Sequence, residues 1–535
     1  MPRVDALVVG AGCAGGVATL RLAKAGCSVV CLEQGDWSEL AEFPAPRPEY
    51  ELLIGREWAN RPSLRGRAAD YPIEESDSDI EALMWCGVGG SLIMYAGDWC
   101  RLRPSDFRVR TLDGVADDWP FTYGDLAPHY EKVDIEFGAS GLGGDPSLPP
   151  GADPPHPPLP IGPAATRVAR AHAQLGWHWW PGTNSVLSVP AGGRRVCAQW
   201  STCQHGCPEG AKASTDRTHF PEAVEHGAKL VTGARAHRVV LDGRGRATGV
   251  EYLLPDGSEH RQRADVILLA ASAIGTPRLL LLSATPGSPD GLANGSGLVG
   301  RRLMMHPFAN VCGYFDEDLR GWNGHWGAKI VSYEFYETDA SRGFVRGAKW
   351  SLYPTGGPLS AAVPTNPQVA PVWGSGHHRF VRERLGRGVN WGIFGEDLPD
   401  PDNRVTLADG LTDSSGLPAP KLTYRLSEEA RRLLEFNVER AEESFLAAGA
   451  RHVERQSLVR DAGWHPLGTA RAGKDPSSSV VDGWGRSHDV PNLFVVDGSV
   501  FPTSGAANPA STIAAFASRA VDHLIAERTN QKVPV

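Results

Sequence analysis

Apolar positions in this chain gather first in short blocks, not in long helical stripes. Val4 to Val9 is short enough for a buried parallel strand, and a second block, Ser28 to Leu32, follows a stretch that stops at Gly26, so the first 34 residues read strand, helix, strand. The pattern then dissolves into an irregular, proline-dotted segment that lasts to about Asp79. Ala164 to Leu175 predicts a helix stopped by Gly176, and the aromatic group Trp177 to Trp180 behind it reads as core packing. From Ala228 on, β-branched residues alternate with Gly and Asp turns, the pattern of an antiparallel meander. Val266 to Ala271 is a further buried strand, running into a helix in which Pro277 suits the first turn. Residues 312–459 are mixed and contain one clear helix, with Ser427 as N-cap, Glu428 and Glu429 at its positive end, and Ala430, Leu434, Val438, Ala441 and Phe445 on one face before Gly449. Near the end, Leu493 to Val496 forms a strand, and Asn508 and Pro509 open a last helix as N-cap and first residue.

A length of 535 residues implies more than one domain, with the Pro- and Gly-rich stretch Leu142 to Pro163 as a connector. Hydrophobic content of 41% and charged content of 21% describe a globular protein, and a net charge of −9 argues against a nucleic-acid or anionic-membrane surface. The best apolar run, Val266 to Ile274, is too short to span a membrane, and a strand beginning at Val4 leaves no room for a signal peptide, so a cytoplasmic protein is expected. Nine cysteines, an odd number in a large chain, do not suggest a disulfide framework.

The chemistry enters with the glycines. Gly10, Gly12 and Gly15 fill G-x-G-x-x-G where the first strand turns into the first helix, and Glu33 stands at the end of the second strand, the arrangement that places a pyrophosphate on the helix N-terminus and ribose hydroxyls on the acid. A second glycine cluster, Gly87, Gly89 and Gly90 with Ser91, precedes another apolar run and reads as a second backbone surface pressed against a ligand.

Together with ASAIGTPRLLL (Ala271 to Leu281), GRRLMMHP (Gly300 to Pro307), HPLGT (His465 to Thr469) and VVDGSVFPTSGAANP (Val495 to Pro509), these motifs resemble the glucose-methanol-choline (GMC) family of flavin-dependent oxidoreductases over nearly the whole chain. CPEGAKAST (Cys207 to Thr215) and PSDF are similar to the branch of gluconate, fructose and glucose dehydrogenases and pyranose oxidases. The resemblance implies an α/β fold, α+β overall. A Rossmann-type FAD-binding domain with a parallel sheet (1–120, 195–310 and 461–535) would carry a substrate-binding cap domain on an antiparallel sheet (121–194 and 311–460). It implies FAD held by Gly10, Gly12, Cys13, Ala14, Gly15, Glu33, Gln34, Gly87, Gly89, Gly90, Ser91, Met94, Tyr95, Ala236, Ala271, Asp497, Gly498, Asn508, Pro509 and Thr512. His465 matches the catalytic histidine and Asn508 its partner, while His306 and His488 are expected to be structural.

The implied reaction is oxidation of an alcohol or sugar CH–OH group, with His465 taking the hydroxyl proton and the electrons passing to a quinone, a cytochrome or other protein, or O2. Trp322, Trp326 and Trp350 either stack on the substrate or merely pack. Met94 stands where some members link FAD covalently through a histidine, so dissociable FAD is expected. Cys197, Cys203 and Cys207, followed by Pro208, resemble the ligand run of a three-iron, four-sulfur cluster. The same residues also read as buried thiols, or as a zinc site completed by His205. Two other classes compete with this reading: a non-redox lyase on the same scaffold, like the hydroxynitrile lyases, and a nicotinamide-dependent reductase.

Overall fold

In the computed structural model, which describes residues 2–45 and 47–532 with side chains to Thr529, two large sheets both contribute residues to one cavity. The first grows from the strand, turn and helix of the N-terminus: β1 (Val4–Val9), the helix Cys13–Lys24 and β2 (Val29–Leu32). β1 lies parallel to β2 on one side and to β8 (Glu259–Leu269) on the other, and β5 (Lys229–Val231) extends the sheet beyond β2. Val29 to Leu32 is buried throughout, which is why that segment is an apolar block and does not alternate.

β8 joins the antiparallel and parallel parts of this first sheet. Its first half pairs antiparallel with β7 (Ala247–Leu253), which pairs in turn with β6 (Arg235–Leu241). Its second half runs parallel between β1 and β16 (Leu493–Val495). The meander expected from Ala228 therefore begins only at Arg235; Leu230 and Val231 pair with Cys31 and Leu32 and belong to the parallel sheet.

The second sheet is antiparallel, in the order β15 (His452–Gln456), β9 (Phe308–Tyr314), β12 (Gly388–Gly395), β11 (Ala348–Tyr353), β10 (Ile330–Ser332), β4 (Trp180–Pro181). Alternation sorts its side chains. Ala309, Val311, Trp350, Leu352, Trp391 and Ile393 are buried in one core with the helices Gly162–Leu175 and Glu428–Ala447. Trp177 and Trp179 pack on that core as the sequence suggested, and Trp350 belongs to it, its indole N–H donating to Asn437. Phe308, Asn310, Lys349, Ser351, Tyr353, Asn390 and Phe394 take the alternate positions, which face the site. A small third sheet joins β3 (Glu74–Ser78), β14 (Pro418–Tyr424) and β13 (Arg404–Thr412).

Ser427 caps its helix as expected, accepting from Ala430 N at 3.1 Å. Three expectations need correction. Pro277 is not in the first turn but is the sixth residue of the helix Ser272–Leu282. It has no N–H to give the carbonyl of Ala273, and the Thr469 hydroxyl supplies the missing donor at 2.7 Å. The helix Tyr123–Phe137, expected in the cap, buries Tyr130, Val133 and Phe137 in the core of the first sheet instead. Arg21–Glu136 and Lys132–Asp522 ion pairs tie it to the first helix and to the C-terminal helix Ala510–Lys532. That last helix starts at Ala510, two residues past Asn508, whose amide is engaged elsewhere. Among the described residues no helix is long and apolar enough to cross a membrane.

Candidate active site

A continuous cavity runs from the turn after β1 to the uncovered face of the antiparallel sheet. At the first end, Gly10 has φ of 101°, and a Cβ there would stand 2.5 Å from the Ala270 carbonyl. A Cβ on Gly15 would lie 1.8 Å from the Gly10 carbonyl, so the helix packs against its own entry turn only as glycine. The second glycine loop touches the first: Gly89 N donates to Ala11 O at 3.0 Å, and a Cβ on Gly90 would be 2.6 Å from Gly12 Cα. The helix Cys13–Lys24 begins on Gly12 with no side-chain cap and no acid in its first turn, so free N–H groups and the positive end of the helix meet the cavity.

Glu33 closes the next section. Its carboxyl accepts from Ala11 N at 2.8 Å and Gly35 N at 2.9 Å, yet burial pushes it up to about 7. Gln34, Ala236 and Ala271 share that wall. Further along stand Asp497 and Gly498, with Asp497 accepting from Thr276 Oγ1 at 2.6 Å and Ser499 N at 2.9 Å.

The far end carries the titratable groups. His465 and Asn508 both line it, with Asn508 Nδ2 3.4 Å from His465 Nε2. His465 Nδ1 lies 2.9 Å from His306 Nδ1. Burial, then His306 and Lys349, hold the His465 imidazole well below its usual range, and burial lowers His306 to about 4, so both rings are neutral near pH 7. His306 therefore abuts the candidate base, although the sequence treated it as structural. It adopts φ of 52°, a strained setting for a non-glycine residue, and Asp397 pins the neighbouring Met305 N–H at 2.6 Å. Asn508 Oδ1 accepts from Lys349 Nζ at 2.6 Å. Phe308, Phe394, Trp326, Trp464, Tyr353, Asn310 and Asn390 complete this end.

Most of the sequence-derived residues thus converge on one cavity: Gly10, Gly12, Cys13, Ala14, Glu33, Gln34, Gly90, Ser91, Met94, Tyr95, Ala236, Ala271, Asp497, Gly498, His465, Asn508 and Pro509 all line it. Gly15, Gly87 and Gly89 stand behind the wall as close-packing glycines. Thr512 is off the wall as well, since its hydroxyl is paired with Tyr130 at 2.7 Å. Of the three tryptophans considered for stacking, Trp326 lines the cavity, Trp350 is in the core behind the sheet, and Trp322 is exposed. His488 pairs with Ser479 at 2.9 Å, away from the cavity.

Cys197, Cys203 and Cys207 each accept a backbone N–H, from Gln199, Trp326 and Lys212 respectively. Cys197 and Cys207 pack on Leu159, Val186 and Ala211, and burial pushes the Cys197 thiol up to about 12. Among the described residues no three His, Cys, Asp or Glu side chains gather at metal-binding spacing, so neither a cluster nor a His205-completed zinc site fits this geometry.

Lys349, Asp98, Tyr353, Asn310 and Asn390 belong to none of the sequence motifs. The available signal was the alternation in AKWSLY, where a lysine shares a strand face with Ser351 and Tyr353 while the opposite positions are bulky and apolar.

Residues 160–308 and 399–517 match the two family models described as GMC oxidoreductase. The chain is 40% identical to a 2-methyl-1,2-propanediol dehydrogenase of Mycolicibacterium austroafricanum, over 98% of this chain and 95% of that protein. It is 33% identical to a 6'''-hydroxyparomomycin C oxidase of Streptomyces lividus, over 98% and 92%. Among solved structures it is similar to a pyridoxine 4-oxidase, with a TM-score of 0.65 at 19% identity, covering 97% of this chain and 98% of that one.

Proposed function

The chain belongs to the GMC oxidoreductase family, and from that premise we propose that it is an FAD-dependent enzyme that oxidises a CH–OH group of a small polyhydroxylated alcohol to the carbonyl. One observation carries the reading: a single cavity has a bare glycine cradle and Glu33 at one end and a neutral histidine facing a carboxamide at the other. The cradle fits FAD, because the Gly12 and Gly90 backbones meet with no room for a side chain and the uncapped helix start offers N–H donors to a pyrophosphate. Glu33 is set to accept from ribose, and Met94 offers no nucleophile for a covalent link at its position, which favours a dissociable cofactor. Bound there, FAD supplies the ring that accepts a hydride from the substrate carbon.

The protein's own groups do the rest. His465 Nε2 takes the hydroxyl proton, so that the hydride leaves a carbon whose oxygen is already gaining negative charge and the product is a neutral carbonyl. A lowered pKa keeps the ring unprotonated, and therefore available as a base, near pH 7. Asn508 Nδ2, beside His465 Nε2, donates to the same oxygen as its charge grows. Phe308, Phe394 and Trp464 exclude water around the reacting carbon. Asn310 and Asn390, on neighbouring strands and both on the cavity wall, grip further hydroxyls, which favours vicinal diols, polyols and sugars over simple alcohols. The electrons go on to a quinone, a protein or O2.

The test is anaerobic mixing of the FAD-loaded protein with a panel of 1,2-diols, sugars and monohydric alcohols. Bleaching of the flavin band by the polyhydroxylated members is expected, with His465→Ala slowing it by roughly 10²- to 10⁴-fold, the contribution of a positioned base. Absence of bleaching by every alcohol, or a wild-type rate in the variant, would overturn it.

A further inference from the structure

A lysine sealed inside the protein one residue away from the candidate base calls for an explanation. Lys349 is fully buried, and its Nζ has Asp98 Oδ2 at 3.1 Å, Asn508 Oδ1 at 2.6 Å and Cys100 Sγ at 3.5 Å. Asp98 is itself buried and also accepts from the Tyr353 hydroxyl at 2.6 Å, Ser351 Oγ at 3.2 Å and Ala328 N at 3.1 Å. Burial alone would lower the lysine, but the Asp98 carboxylate outweighs it and holds the pKa above its ordinary value, so the group is an ammonium at any working pH.

An ammonium only donates. The amide oxygen of Asn508 must therefore face Lys349, which turns the amide NH2 toward His465 Nε2. An amide N–H also only donates, so Nε2 must be the bare nitrogen and Nδ1 must carry the proton. That proton has an acceptor, since His306 Nδ1 lies 2.9 Å from His465 Nδ1. Each group in the row fixes the next: Asp98, Lys349, Asn508, His465, His306.

We infer that Lys349 is a positioning residue that sets the tautomer of His465 through the amide of Asn508, so that the nitrogen facing the substrate is the one able to take a proton. The inference rests on the proposed role of His465 as base. Without the ammonium, the Asn508 amide is free to flip. Its oxygen then faces Nε2, favours a proton there, and blocks the base from the substrate side. His306 Nδ1 would then donate to His465 Nδ1, and the row would be reversed.

Two readouts separate this from the role of His465 itself. In protein labelled with ring-15N histidine, two-bond 1H–15N correlation identifies the protonated nitrogen of each neutral imidazole, with His465→Gln assigning the signal. Wild type should show His465 protonated at Nδ1, and Lys349→Met should shift it partly or wholly to Nε2. An Nε2–H tautomer in wild type, or no change in Lys349→Met, overturns the inference whatever the enzyme's activity. In the FAD-loaded enzyme, Lys349→Met should lower the limiting rate of flavin bleaching by about 100-fold with substrate affinity little changed, the low end of what losing a positioned base costs. Lys349→Arg, still a pure donor, should recover most of that loss. A methionine variant as active as wild type, or an arginine variant no better than methionine, counts against it. Because Lys349→Met leaves Asp98 buried without its cation, Asp98→Asn/Lys349→Met provides a charge-neutral background with the same two expectations. If His465→Ala bleaches at the wild-type rate, the base assignment fails instead, and the tautomer measurement still judges Lys349.

Discussion

Replacing Thr469 with valine should unsettle a helix it does not belong to. The Ala273 carbonyl in the helix Ser272–Leu282 would ordinarily accept from the N–H of residue 277, but that residue is proline, and Thr469 Oγ1 stands in at 2.7 Å. Both Thr469 and Ala273 are fully buried, so no water can replace the hydroxyl. Valine is close in shape and leaves the carbonyl unsatisfied, which costs about 1–3 kcal/mol. An unfolding entropy of about 2 cal/mol/K per residue over 535 residues amounts to about 1.1 kcal/mol/K, so the midpoint should fall by roughly 1–3 °C if the chain melts as one unit. Scanning calorimetry of the FAD-saturated protein resolves that. The decisive sample is Pro277→Ala/Thr469→Val, which returns an N–H at position 277: the double variant should be more stable than Thr469→Val alone. If Pro277→Ala lowers stability equally in both backgrounds, the hydroxyl is not the surrogate donor described here.

The glycines of the cradle divide by mechanism. Gly15→Ala drives a Cβ to within 1.8 Å of the Gly10 carbonyl and should abolish or greatly weaken FAD binding, read as flavin per purified chain. Gly26→Ala meets nothing within 4 Å and carries only the left-handed backbone cost at φ of 76°, about 1–2 kcal/mol of stability, with flavin retained; equal flavin loss in both would refute the distinction. Burial pushes Asp397 from 3.8 up to about 7. A folded-state pKa above the unfolded one gives stability that is complete below about pH 4 and lost as the pH rises through about 7. Asp397→Asn removes this dependence, so its melting temperature relative to wild type should climb from pH 5 to pH 8, and parallel curves would contradict it.

What the sequence shows and what it hides follow from the range of the interactions. The nucleotide end is local: Gly10, Gly12 and Gly15 act within a few residues of one another, and Glu33 is one strand away, so spacing alone reveals them. The other end is assembled from strands far apart in the chain. Lys349 meets Asp98 across 251 positions and Asn508 across 159, and no periodicity reports such a meeting. Pro277 misleads for a similar reason, because the hydroxyl that makes a mid-helix proline tolerable comes from Thr469, 196 positions away from the carbonyl it serves. Asn508 resembles a helix cap because that is its most frequent local use; the pull of a buried ammonium is invisible in its neighbours. Residues 121–194 fall to the cap by chain position alone, yet the partners of the helix Tyr123–Phe137 within that stretch come from both ends of the sequence.

The double duty of β8 has a consequence for how the protein comes into being. Its second half can take up β1 as soon as it is made, but its other edge waits for β16, whose pairing residues Leu493 to Val495 lie 226 positions beyond their partners Ile267 to Leu269. At about 5–20 residues per second, a ribosome needs roughly 11–45 s to cross that distance. For that interval the nascent chain holds a bare, apolar, parallel edge, the kind of surface that recruits strands from other chains. Yield in a foreign host should therefore depend on how that edge is sheltered during translation more than on the stability of the finished fold.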